Sequence, residues 1–200
     1  MDGYPTMTTL ALFAVVFLAQ VSGSAVGLGA AAFTLALPLD HHPWTLVVSV
    51  YAHGNASHLA ANTIALAIVG PAVSYLSTPF RYHAFFVLSG MVAGIAQVIA
   101  MAPFGGGSVI GASGAIFGLF GYLLVGNPAS NYLLSWVSLG FRGSLVVVGI
   151  LGGLVTLTTA SPGVALVAHF MGFLVGALAG RYRLLHASDP AKERSRTDAV

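Results

Sequence analysis

The chain has 200 residues, 57% hydrophobic and 6% charged, with a mean hydropathy of +0.91, so it lacks the charged surface that a water-soluble domain of this size carries. A net charge of +2 and a pI near 9.2 do not indicate nucleic acid, because five of the seven basic residues sit in one short tail after Gly180. The absence of cysteine removes disulfides, thiolate chemistry and cysteine metal sites, and leaves the redox compartment unreadable.

Six apolar runs approach the roughly 20 residues that cross a bilayer, at 7–23, 58–77, 82–101, 113–126, 143–160 and 164–182. The first is preceded by Asp2 and by no lysine or arginine, so it is expected to remain as a span rather than to be a cleaved signal. Uncharged sequence continues from it to Leu39, but Gly23, Gly27 and Gly29 interrupt it, which predicts a long first loop over 24–57, partly immersed in the interface. The fourth run is shorter than a full crossing and is expected to begin below the membrane surface, inside a protein cavity. The expectation is one all-α membrane domain over 1–186, with six transmembrane helices, and a charged cytoplasmic tail over 187–200.

Basic residues in the connections orient the chain. With a cytoplasmic N-terminus, Arg81, Arg142, Arg181, Arg183, Lys192, Arg194 and Arg196 all fall inside, as the positive-inside rule requires, and the outer connections hold only Asp40 as a fixed charge. His58, Ser113 and His169 then stand near the beginnings of spans two, four and six, at one depth near the outer face. His83 begins an odd-numbered span at the inner face and His186 is in the tail, so neither can join them.

All five acids, Asp2, Asp40, Asp189, Glu193 and Asp198, lie outside the runs. That removes paired-aspartate proteolysis, and no His-Glu-x-x-His string exists for a zinc protease. Proton transport through buried acids is equally hard to build. A serine with a histidine base is what remains.

Ser113 opens the fourth run between Gly111 and Gly114, where small neighbours admit a substrate carbonyl and free helix-terminal amides favour a developing oxyanion. Taken alone, this string reads more readily as helix packing in a chain with 25 glycines. His169 lies one turn above a four-residue glycine spacing, Gly172, Gly176 and Gly180, which predicts close packing against span four. As general base it needs little tuning, although a lone membrane histidine is also a common hydrogen-bonded structural group. Without an acid to orient it, the site reads as a dyad. Phe117, four residues after Ser113, shares its helix face, and its ring can stack on the imidazole or serve as an ordinary core aromatic. His58 and Asn62, also four apart, can donate to an oxyanion beside the Ser113 amide. His53 is read as bracing the loop before them. No metal or other cofactor is expected, since His53, His58 and His169 have no carboxylate to complete a common site.

The ordered set of motifs resembles the rhomboid family of intramembrane serine proteases. It comprises Ser49-Val50-Tyr51-Ala52-His53, His58-Leu59-Ala60-Ala61-Asn62, Gly111-Ala112-Ser113-Gly114 with Phe117 and Gly121, and Ala168-His169 with Gly172 and Gly176. The resemblance implies the six-helix core, Ser113 as nucleophile, His169 as base, and His58 and Asn62 in the oxyanion hole. It also implies cleavage of peptide bonds in or near transmembrane segments of other membrane proteins, at a site opening to the outer face, most simply of the cell membrane. One departure is visible: the family often has Trp-Arg in the first loop, and here Trp44 precedes Thr45, so Trp44 would anchor the loop without the arginine's hydrogen bonds. A catalytically silent membrane-protein binder could use the same fold, and a small channel or transporter would explain the glycine-rich helices but needs a polar line through the membrane. Asn55-Ala56-Ser57 matches a glycosylation acceptor, read here as coincidence.

Overall fold

The computed structural model describes residues 4–126, 141–161 and 163–186. The tail expected over 187–200 lies outside them, as do Asp2, Asp189, Glu193 and Asp198.

Helix α1 (Pro5–Ala25) starts on a proline, whose missing N–H is lost to no partner in a first turn. It ends where Gly27 turns left-handed at φ +86°, with Leu28 N donating to Gly23 O at 2.8 Å and Gly27 N to Ser24 O at 3.2 Å, a Schellman closure. Gly23, expected to help break the helix, lies inside it. Its bare backbone leaves room for Leu28 and Phe33 to fold back over it.

Helix α2 (Thr45–Val48) is a single turn in the first loop, and α3 (Ala56–Leu76) follows it. Asn55 Oδ1 caps α3 by accepting from His58 N at 2.8 Å and from Ser57 Oγ at 2.7 Å. The Asn-Ala-Ser string is thus part of a helix start. Helix α4 (Pro79–Met101) opens in the same way, with Thr78 Oγ1 accepting from Arg81 N at 3.3 Å. At this end Thr6 Oγ1 lies 2.7 Å from Ser74 Oγ and 3.4 Å from Tyr82 Oη, joining α1, α3 and α4 through polar groups that would otherwise be stranded in apolar surroundings.

Helices α5 (Ser113–Gly126), α6 (Phe141–Leu157) and α7 (Leu166–Arg181) complete the described bundle. The axis of the packing is α5 against α7. Gly172 rests on the carbonyl of Gly114, Gly176 on that of Gly118, and Gly121 on that of Phe173, so backbone meets backbone where side chains would stand. Helix α6 packs on α7, with Gly152 over the Phe173 ring. Phe13, Tyr51, Tyr82, Phe86 and Tyr122 fill the core between the other helices.

By length and composition α1, α3 and α4 can each cross a membrane, and α5, α6 and α7 contribute shorter apolar segments. Large apolar side chains such as Leu18 on α1, Ile68 on α3 and Ile150 on α6 point outward. These exposed faces need a non-aqueous solvent.

The first loop is tied down at several points. Strand β1 (Leu35–Ala36) pairs antiparallel with β2 (Ser108–Val109), burying Leu35 against Gly94. Trp44 Nε1 donates to Ala32 O at 2.9 Å. Gln20 Nε2 donates to His53 O at 3.1 Å while its Oε1 accepts from His53 N at 2.9 Å, so one side chain clamps both backbone polar groups of a single loop residue.

Candidate active site

Ser113 is the first residue of α5, and the segment before it is held by the first loop. The β1–β2 pair fixes residues 108 and 109, and Gly111 N donates to Ser49 O at 2.9 Å. Gly111 then takes φ +129°, a backbone state that L side chains rarely adopt, which swings the chain into the helix. Ser113 is partly exposed, in a narrow cleft shared with Ser49, Gly111, Gly114 and Ala168.

His58, in the first turn of α3, packs its imidazole directly on Gly111. A Cβ placed on Gly111 would lie 2.5 Å from His58 Cε1 and 2.8 Å from Nε2. Asn62, one turn further on, is buried, and its Nδ2 donates to His58 O at 3.0 Å. His53 is only 1% exposed, with its ring edge-on to Phe13 at 4.9 Å and to His58 at 5.3 Å. Neither ring nitrogen has a partner among the described residues.

His169, in the first turn of α7, is buried. Its ring stacks on Phe117 of α5 with centroids 4.3 Å apart and planes 16° from parallel. The neighbouring Ala168 faces Gly114, where any side chain would meet Ala93 and the Ala168 carbonyl. The three helix starts of α3, α5 and α7 thus converge: His58 on Gly111, Gly114 on Ala168, Phe117 on His169. Among the described residues no hydrogen bond joins Ser113 to His169. Catalytic hydrogen bonds are commonly long in a resting enzyme and close around substrate.

Two side chains at this end had no assigned part in the sequence. Gln97 of α4 accepts from Ala168 N at 3.1 Å through Oε1, satisfying an amide that the first turn of α7 leaves without a helical partner. Thr159 Oγ1 lies 2.9 Å from His169 Nδ1. The signal for Gln97 was available: the chain has two glutamines, Gln20 and Gln97, both inside apolar runs, and Gln20 bonds the backbone of His53 as Gln97 bonds that of Ala168, the neighbour of His169. Thr159 carried no such signal in a threonine-rich stretch.

His83 and His186 stand elsewhere. His83 precedes Gln97 by fourteen residues, about 21 Å along α4. His186 Nδ1 is 2.6 Å from Tyr122 Oη, and its carbonyl accepts from Arg81 at 2.5 Å, at the far end of α5 from Ser113. Among the described residues no three histidines, cysteines or acids come together to hold a metal.

The sequence pattern of the Rhomboid domain matches residues 40–186. The chain is 30% identical over 148 residues to RHOMBOID-like protein 7 of Arabidopsis thaliana, covering 72% of this chain and 44% of that one. It is 37% identical over 81 residues to Rhomboid protease GluP of Bacillus subtilis (strain 168), covering 40% and 15% respectively. Against Putative rhomboid protease YdcA of the same bacterium it is 27% identical over 135 residues, covering 68% and 64%. The matched region spans less than half the length of the Arabidopsis protein.

Proposed function

The chain belongs to the rhomboid family, and from that membership we propose that it is an intramembrane serine endopeptidase cutting transmembrane segments of other membrane proteins. The observation that carries this reading is the convergence of three helix starts on Ser113: His58 against Gly111, Ala168 against Gly114, and Phe117 stacked on His169.

In this reading Ser113 Oγ attacks the scissile carbonyl as His169 takes its proton. The oxyanion is met by the Ser113 amide, His58 and Asn62, donors set in place before charge develops. Asn62 Nδ2, bonded to His58 O at rest, has a second hydrogen to offer. His169 passes its proton to the leaving amine, which departs. Water then attacks the acyl-enzyme with His169 again as base, releasing the carboxylate product and restoring Ser113. Phe117 holds the imidazole plane, and Gly111 and Gly114 keep the approach to Ser113 open. His53 braces the loop beneath His58. A helical peptide bond is shielded by its own hydrogen bonds, so the substrate must unwind locally before attack.

Both termini are cytoplasmic in this proposal, six helices span the cell membrane, and the site opens to the outer face. The test is a serine-directed fluorophosphonate probe together with a reporter transmembrane substrate, on purified wild-type protein and Ser113→Ala. Wild type is expected to label and cleave, and Ser113→Ala to do neither. Equal labelling and cleavage in both would overturn the nucleophile assignment. Substrate capture without cleavage by either protein would instead identify a silent binder.

A further inference from the structure

We propose that Thr159 is the positioning residue for His169: its hydroxyl accepts the Nδ1 proton and holds the imidazole in the tautomer whose Nε2 can take a proton from Ser113. The inference rests on the peptidase reading for its catalytic consequence, and on geometry alone for the tautomer.

The direction of the Thr159–His169 hydrogen bond follows from counting protons. Thr159 Oγ1 is 2.7 Å from Thr156 O and 2.9 Å from His169 Nδ1. A hydroxyl has one proton and two lone pairs, whereas a carbonyl oxygen can only accept. The Thr159 proton is therefore committed to Thr156 O, the shorter contact and a common arrangement for threonine in or just beyond a helix. What faces His169 is a lone pair, so Nδ1 must carry hydrogen. In neutral imidazole the other nitrogen, Nε2, is then the acceptor. The opposite arrangement would leave Thr156 O without this donor and place N–H at Nε2, where no proton could be received.

Position supports the same role. Thr159 stands just past the end of α6 at Leu157, within reach of the first turn of α7 across a short connection. Phe117 lies flat against the imidazole face, which limits tilt. Stacking alone does not distinguish the two nitrogens, because a ring flipped by 180° stacks equally well. A hydrogen bond in the ring plane does distinguish them. Phe117 and Thr159 thus divide between them what a carboxylate does in a triad, plane from one and tautomer from the other.

During attack the proton leaves Ser113 Oγ for His169 Nε2, and the resulting imidazolium keeps donating from Nδ1 to Thr159. The same proton then moves from Nε2 to the leaving amine. Thr159 gains and loses no proton at any step.

The test uses the full chain in lipid bilayers with ¹⁵N-labelled histidine, the His169 signals being identified by their loss in His169→Asn. Wild type and Thr159→Ser are expected to show His169 protonated at Nδ1. Thr159→Val, with Thr159→Ala beside it to separate packing from hydrogen bonding, is expected to show mixed tautomers. In cleavage assays the valine and alanine variants should lose roughly tenfold in kcat, the worth of one neutral hydrogen bond, with KM unchanged, and serine should restore the rate. An unchanged tautomer in Thr159→Val and Thr159→Ala would overturn the inference, as would unchanged kcat in both. A wild-type protein that neither labels nor cleaves would instead overturn the peptidase reading, while the nitrogen spectra still decide what Thr159 does.

Discussion

Gly111 meets two demands that only glycine satisfies together, a φ of +129° and a histidine ring pressed onto the space of a side chain. Gly111→Ala strains the backbone, at a cost on the order of 1–3 kcal/mol, and drives His58 away from the serine. If His58 donates to the oxyanion, kcat should fall by about 10²–10³. Cleavage rate and thermal unfolding measured on the same preparation check both parts. A variant with normal kcat would separate His58 from the oxyanion. His53, in the loop, presents a different problem. Burial, and after it the neighbouring His58, pushes its pKa down to about 4. Unfolded imidazole titrates near 6.5, so between those values the unfolded chain binds a proton that folded His53 does not. The contribution to stability is complete above about pH 6.5 and is lost as pH falls toward 4. Melting temperature should therefore drop from about pH 7 to about pH 5, and His53→Asn should narrow the drop. Identical acid sensitivity in the two proteins would exclude His53 as its source.

Between elements, the glycines separate into those that carry a contact and those that do not. Gly176 rests on the Gly118 carbonyl, whereas Gly149 on α6 has open space where a side chain would be. Gly176→Ala must part α5 from α7 and should cost at least about 2 kcal/mol. Gly149→Ala should be neutral or stabilising, by up to about 1 kcal/mol, because alanine is the better helix former. Unfolding of both variants in detergent checks the contrast. The four-residue rhythm of Gly172, Gly176 and Gly180 made this helix face readable from sequence, and span four was its expected partner because Ser113 stands at the depth of His169; the matching glycines Gly114, Gly118 and Gly121 emerged in the structure. The apolar runs also located the helices to within about three residues, but the caps at Asn55 and Thr78 that set two of those limits emerged only in the structure. Other features had no such trace. Two-residue strands are too short for an alternation to register, and α2 is one turn inside a loop. Gly23 resembled a breaker because the fold-back of Leu28 over it is a tertiary fact.

At the scale of the molecule, the polar groups are gathered toward its two ends. Gln20, Gln97, Thr159 and the histidines of the site lie at one, and Thr6, Ser74, Tyr82, Tyr122 and His186 at the other. Sequence could place Ser113, His58 and His169 at one depth because depth follows from span order and the distribution of arginines. It could not pair Thr159 with His169 or Gln97 with Ala168. A single polar residue in an apolar run reveals that it needs a partner, and only the packing of separate helices reveals which one.

The contact between α5 and α7 also sets how this protein can change. Glycine has no atoms left to remove, so every substitution along that seam adds volume to a place where two backbones already touch. Mutation there can move in one direction only. Substitutions that leave α5 and α7 in register are then confined to the outward faces of α1, α3 and α6 and to the loops.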